Sequence, residues 1–311
     1  MSFPFFPAQA SSSAEQVDHL FFGLLALSGL VLLIVFAPMI FFLFKYRRGM
    51  RVNRRLRSSS AVRLEIIWTA VSLLLSTGLF AWGAKVYLDL ERPPAGGLEI
   101  HVIGKQWMWK AQHAEGNREI NELHVPAGQT VRLILATEDV IHSFYLPAFR
   151  IKQDAVPGRY TQEWFLAKKP GTYHLFCAEY CGAKHSQMIG RIVVMPPAEY
   201  ENWLKNGQPA ESLARGGERL FRELDCSGCH MGSTVVRSPR LEGIYGKPAP
   251  LANGQFQVAN EQYLRDSILL PQAQIAAGYE PLMPTFKGRV SEEELVQLIA
   301  YIKSLGDQRA P

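Results

Sequence analysis

The chain has 311 residues, a net charge of +5 and 48% hydrophobic residues, enough for two modest globular domains with further elements, in either a soluble or a membrane-anchored protein. The positive charge is local: residues 45–63 carry eight Lys or Arg and no carboxylate, and without them the chain stands at −3. That distribution excludes a generally basic, nucleic-acid-binding surface and marks a topogenic loop.

Residues 1–19 contain no Lys or Arg and are expected to form an N-terminal extracytoplasmic tail. Leu20 to Phe44 then runs uncharged, long enough as a helix for ~37 Å. Ile66 to Ala84 is also uncharged and would cover ~28 Å. Together they predict a transmembrane helical hairpin over 20–92, with spans at about 20–44 and 64–88 and the basic loop 45–63 held in the cytoplasm. The first run is longer than the apolar core of a signal peptide and lacks its basic flank, so it reads as a retained anchor.

After ERPPAGG the text changes to short apolar runs, LEIHVIGKQWMW, TVRLILAT, HSFYLP, YTQEWFLA, GTYHLFC and IGRIVVMP. Rich in β-branched and aromatic residues and broken by turn signals, they predict an antiparallel sandwich or barrel over 95–197. Trp107 and Trp109 read as residues of one strand, either indole serving as core, as a functional group or as a membrane-surface anchor.

The segment CAEYCGAKHSQM places Cys177, Cys181, His185 and Met188 in one short loop. Soft sulfur and imidazole donors select copper over hard cations. Two bridging thiolates with His185 and Met188 as caps, completed by His142 from EDVIHSFYLP, make a binuclear site. A zinc half-site or a redox cysteine pair is the competing reading, but a zinc ribbon needs a second free cysteine pair.

PPAEYENWLKNGQPA reads as a polar linker, 198–210, leading to a small helical domain over 211–307 with helices at Glu211–Leu224, Glu261–Leu269 and Ser291–Leu305. Within it CSGCH presents Cys226 and Cys229 for thioether attachment of haem, with His230 as the proximal iron ligand; a thioredoxin-like pair is the alternative. Met283, stiffened by Pro281 and Pro284, is the candidate second axial ligand, against the ordinary role of a core methionine. With all four cysteines committed, no disulfide is expected. His19, His101, His113, His124 and His174 read as surface or strand residues.

These motifs, with the two-span hairpin, GKQWMWK and DAVPGR, make residues from about 20 to 307 resemble subunit II of haem-copper cytochrome c oxidases, in the bacterial branch with a fused C-terminal cytochrome c domain. The resemblance implies a multidomain membrane protein: a two-helix transmembrane hairpin, an all-β cupredoxin-like sandwich and a small all-α cytochrome c domain. It further implies that His142, Cys177, Cys181, His185 and Met188 hold the CuA centre, with Glu179 adding its main-chain carbonyl and its carboxylate reaching a magnesium ion shared with subunit I. Trp107 is the implied electron entry point. Glu65, aligned with Trp68 and Thr69, is the implied proton-path residue near subunit I, although the family's proline after Thr69 is absent; pairing with Arg63 is the bland alternative.

The implied function is electron input to a respiratory oxidase in the bacterial plasma membrane, with both termini and both metal domains extracytoplasmic. The implied partners are the lipid bilayer, subunit I, subunit III and a donor such as a cytochrome c or a quinol-cytochrome c reductase, with no nucleic acid. Residues 105–122 balance three basic against three acidic side chains and offer no acidic docking face, so the fused haem is expected to be the immediate donor to copper. A CuA-containing nitric oxide reductase subunit and a stand-alone membrane-anchored electron carrier are the alternatives.

Overall fold

The computed structural model describes residues 6–52, 58–207, 211–231 and 238–307. Two units are distinguished, one of them the helical hairpin and the other everything from Pro94 onward together with the first residues of the chain.

The hairpin consists of α1 (Ser12–Lys45) and α2 (Ser58–Glu91). Both extend beyond their uncharged stretches, because polar residues at helix ends remain solvated and need not stop the helix. The two helices approach closely at Gly23, where an added Cβ would lie 2.9 Å from the Trp82 ring. Small residues at such crossings allow backbones to approach. No residue in the most apolar window of either helix is buried, as expected for surfaces that face lipid or another membrane subunit. Part of the basic loop lies outside the described residues.

The second unit begins with a ten-strand sandwich. Its strands are β1 (Leu98–Lys105), β2 (Met108–His113), β3 (Arg118–Ile120), β4 (Glu122–Pro126), β5 (Thr130–Thr137), β6 (His142–Leu146), β7 (Ile151–Ala155), β8 (Thr161–Leu166), β9 (Gly171–Cys177) and β10 (Ile189–Met195). One sheet has the order β3-β2-β1-β5-β8 and the other β4-β10-β9-β6-β7. The expectation of a purely antiparallel sandwich is corrected here: β1 pairs with β5, and β4 with β10, in parallel. The chain crosses between sheets before each of these pairings, and only such long crossovers can bring strands side by side in the same direction.

Alternation along the strands sends Ile100, Leu133, Phe144, Phe165, Leu175 and Ile192 into a fully buried core. At the N-terminal edge of this unit, the amide of Ala10 donates to the Ala148 carbonyl and that of Lys168 to the Ala10 carbonyl, tying the first residues to the sandwich.

The stretch read as a linker is instead largely helical, α3 (Pro197–Asn206). Proline is well suited to the first turn of a helix, where its missing N–H costs nothing. Tyr200, Trp203 and Leu204 then fall on one face. The helical domain follows with α4 (Leu213–Glu223), α5 (Cys226–His230), a small ribbon of β11 (Pro248–Pro250) and β12 (Phe256–Val258), α6 (Glu261–Leu269) and α7 (Glu292–Asp307). Ser212 and Asn260 cap α4 and α6 through their side chains. α4 and α7 pack against each other over a core that includes Leu220, Phe221, Leu295, Leu298, Ile299 and Ile302.

Candidate functional site

The long connection between β9 and β10 carries the sulfur-rich loop, and the sheet fixes both its ends. Cys177 closes β9 opposite Phe144, the amide of Ala178 donates to the Ser143 carbonyl, and the amide of Cys177 donates to the Met188 carbonyl. His142 opens β6 beside it.

The donors converge. Cys177 Sγ lies 3.8 Å from Cys181 Sγ and 3.9 Å from His142 Nδ1. Cys181 Sγ lies 3.5 Å from His185 Nδ1 and 3.8 Å from Met188 Sδ. The Glu179 carbonyl oxygen is 3.2 Å from Cys177 Sγ, while its carboxylate side is exposed. The sulfur separation is far beyond a disulfide's ~2.05 Å and close to the edge of a tetrahedron with metal–sulfur bonds of ~2.3 Å. His142, Cys177, Cys181 and Met188 are all buried. The donor set therefore fits soft metal ions shared between two central thiolates, with an imidazole and one further donor at each end.

Burial raises the pKa of both thiols. At Cys177 the interaction with His142 and nearby backbone groups reverses this and holds the thiol below its usual range. At Cys181 the neighbouring Cys177 adds to burial and pushes it up. Metal binding replaces these protons.

The surrounding groups orient the ligands. His142 Nε2 is 2.8 Å from Asp139 Oδ1, an arrangement that reserves Nδ1 for metal. The amides of Gln106 and Val140 donate to the same carboxylate. Asp139 is a site residue that the sequence reading missed, although a carboxylate three positions before a ligand histidine was a usable signal.

Trp107 and Trp109 do not share a strand: β1 ends at Lys105 and β2 begins at Met108, paired to each other. Trp107 sits in the intervening turn, its Nε1 donating to the Cys181 carbonyl at 3.2 Å, and Gln106 Nε2 donates to the same oxygen at 2.8 Å. Trp109 is core, edge-on to His142 and Phe144. Neighbouring Gly182 has φ +115°, and a Cβ there would lie 2.9 Å from Gln106 Nε2, so the turn and the loop close only around glycine.

In the helical domain, Cys226, Cys229, His230 and Met283 line one cavity of about 630 Å³. His230 Nδ1 is 2.9 Å from the Pro239 carbonyl, which as acceptor fixes the proton there and frees Nε2. Met283 is anchored from both sides: Gln272 Nε2 donates to the Pro281 carbonyl and Thr285 Oγ1 to the Leu269 carbonyl. Two buried polar atoms without partners among the described residues, Ser267 Oγ and Gln274 Oε1, belong to residues lining the cavity, as does Arg289. An apolar slot with an imidazole, a thioether, two thiols and a few unmet polar groups fits a covalently held haem with its carboxylate side chains.

Glu65 lies exposed on α2, and no ion pair to Arg63 is present among the described residues. Of the unassigned histidines, His101 and His113 are buried strand residues. His113 Nε2 and His124 Nδ1 both bond the Glu119 carboxylate, at 2.8 and 2.5 Å.

The model for "Cytochrome C oxidase subunit II, periplasmic domain" matches residues 117–195 and that for "Cytochrome c" residues 214–306. Cytochrome c oxidase subunit 2 of Alkalihalophilus pseudofirmus is 30% identical over 304 residues, covering 93% of this chain and 86% of the relative. The protein of the same name from Thermostichus vulcanus is 29% identical, covering 65% of this chain and 78% of the relative. The crystal structure of the periplasmic domain of cytochrome oxidase subunit II from Bradyrhizobium japonicum is 32% identical, covering 37% of this chain and 96% of that one, with a TM-score of 0.36. A match over nearly the whole length of both proteins, with a cytochrome c domain behind the copper-type sandwich, means that the chain belongs to the cytochrome c oxidase subunit II family, the membrane-anchored subunit that joins subunit I in the haem-copper oxidoreductase complex.

Proposed function

We propose that the chain is the electron-input subunit of a respiratory cytochrome c oxidase: it accepts electrons at its cytochrome c domain and passes them through a CuA centre to haem in subunit I, where dioxygen is reduced to water with proton translocation. The observation that carries this reading is the presence in one chain of the donor cluster around Cys177 and Cys181 and the haem-type cavity around His230. When bound, both groups supply one-electron redox chemistry at little cost in ligand movement.

His142, Cys177, Cys181, His185, Met188 and the Glu179 carbonyl hold the copper pair. Cys226 and Cys229 would tether the haem, and His230 and Met283 would be its iron donors. Fixed strands and hydrogen-bonded ligands keep the geometry unchanged between oxidation states. Trp107, bonded to the Cys181 carbonyl, would link the surface to the loop that holds the copper pair. The exposed Glu179 carboxylate is available to a magnesium ion shared with subunit I, and Glu65 to the mouth of a proton path there. Subunit III and a cytochrome c or quinol-cytochrome c reductase complete the partners.

The basic loop supports a cytoplasmic turn for the hairpin in a bacterial plasma membrane. The hydrogen bonds of Ala10 to the sandwich support an N-terminus on the same, extracytoplasmic side as both metal domains. The curated relatives are oxidase subunits, which favours a dioxygen-reducing complex over a nitric oxide reductase.

Metal and haem analysis with EPR spectra of the full chain, purified in detergent, tests the reading. Two coppers sharing one unpaired electron and one covalent haem are expected. A single copper, zinc or a non-covalent haem would overturn it.

A further inference from the structure

The sandwich is contacted by α3 and by the start of α4. Helix α3 lies on the sandwich: His113 Nδ1 is 3.1 Å from Tyr200 Oη, the Trp203 ring stacks on His124 with centroids 4.6 Å apart, and Asn117 Nδ2 donates to the Leu204 carbonyl. The amide of Leu213 at the start of α4 donates to the Ala114 carbonyl of the sandwich. Both the last helix before the junction of the two domains and the first helix after it are therefore bonded to the sandwich.

The haem-binding domain itself is seated through one stripe of α7. Glu293, Val296, Ala300 and Lys303 recur at helical spacing and so share a face. Val296, with Ala300 alongside, packs on Ile103 of β1, Ala136 of β5 and Leu213. Charges close both ends of this apolar seam. Lys110 Nζ lies 2.7 Å from Glu293 Oε1 and 2.9 Å from Glu138 Oε1. At the other end Lys303 Nζ reaches Glu99 of β1 at 2.8 Å and Glu261 of α6 at 2.9 Å. α6 adds Arg265, donating to the Gly158 carbonyl at 3.0 Å, and Gln262 Oε1, accepting from the Tyr160 amide at 2.8 Å.

Lys303, like Lys110, joins carboxylates from the two different domains, and its ammonium also faces the ring of Tyr245 at 4.8 Å. Its side chain is three-quarters buried, and Glu99 and Glu261 are more so. Breaking a buried pair from one side leaves an uncompensated charge, which is why such pairs fix geometry strongly. On its other face α7 sends Leu298 and Ile302 into the haem cavity. The strand beneath the seam continues from Ile103 to Gly104, where a Cβ would meet His142 Cδ2 at 2.9 Å. One helix therefore touches the haem site with one face and, with the other, the strand that backs a copper ligand.

We propose that the haem-binding domain acts as a body fixed to the outer face of the β1-containing sheet, and that Lys303 is the positioning residue that sets its place relative to the copper site. The positional claim stands on the contacts above; its consequence for electron transfer rests on the electron-input reading.

The test uses the full chain assembled with subunit I, with haem and copper incorporated. The distance between the two paramagnetic centres is measured by pulsed EPR, and the rate of electron transfer between them by flash-induced kinetics, in wild type, Lys303→Met, Lys303→Arg and Glu99→Gln. A single narrow distance that persists from about 0.01 to 1 M salt is expected for wild type. Lys303→Met and Glu99→Gln should broaden the distance and slow transfer about tenfold or more, with the spectra and potentials of both centres unchanged, and Lys303→Arg should restore much of the narrow distance. Glu99→Gln lies outside the haem-binding domain and serves if Lys303→Met fails to fold. A broad distance in wild type, or an unchanged one in both neutral variants, overturns the proposal. Missing copper-pair or covalent-haem signals would instead count against the electron-input reading.

Discussion

His142 and Asp139 meet at the candidate copper site: Nε2 of the imidazole lies 2.8 Å from Oδ1 of the carboxylate, leaving Nδ1 directed to the thiol pair. Replacing Asp139 with Ala removes the acceptor that selects this tautomer and also frees the Gln106 and Val140 amides. Copper affinity should fall by roughly 10–100-fold, measured by competition with a chelator of known affinity. Unchanged affinity would show that the fold alone orients the imidazole.

Met283 sits in a loop stapled to α6 by Gln272 and Thr285, so its truncation to Ala should leave the backbone in place. With Met283 as the proposed thioether ligand, the haem should stay attached through Cys226 and Cys229 while its reduction potential drops, because a thioether raises the potential relative to the alternatives. Redox titration of the full chain checks this. A potential equal to wild type would make Met283 a core residue only.

Most donors of the two candidate sites could be read because they are close in sequence, His142 and Met283 being the distant ones. CAEYCGAKHSQM and CSGCH hold their ligands at fixed short spacings that survive any uncertainty in the fold. The order of the strands could not be read, since the parallel pairing of Leu98 with Val131 or Arg191 with Glu122 depends on crossovers that leave no local mark. The helix α3 was hidden by Pro196 and Pro197, which signal a linker and a helix start equally well. Trp107 was misplaced on a strand because GKQWMWK alternates without a turn residue between Lys105 and Met108. The pairing of Lys303 with Glu99 spans 204 residues, and composition shows only two ordinary charged residues there.

Glu119 gives the α3 contact a pH dependence. Burial opposes its ionisation, but hydrogen bonds from His113 and His124 outweigh this and hold the carboxyl at about 2. A carboxylate with a depressed folded-state pKa contributes stability that is present above its unfolded value of ~4.3 and is lost as pH falls toward 2. The shift corresponds to roughly 3 kcal/mol. Glu119→Gln should therefore lower the unfolding midpoint of the full chain in detergent at pH 7, and the difference from wild type should close as pH approaches 2. A difference independent of pH would assign the effect to packing.

Glu163 carries the opposite sign. It projects into the sandwich from β8, 7% exposed, and neither carboxylate oxygen has a partner among the described residues. Burial raises its pKa well above the usual carboxylate range, with only a distant attraction to Lys152 acting the other way. A group whose folded-state pKa is raised binds more protons folded than unfolded, so its contribution to stability declines once pH exceeds the unfolded value of ~4.3. Glu163→Gln keeps the shape and removes the titration. The variant should gain on wild type steadily as pH rises from about 4 to 8, read as the unfolding midpoint of the full chain at each pH. A constant offset across that range would mean that the carboxyl finds a compensating charge or water in solution, and that its burial in the sandwich is less complete than its surroundings indicate.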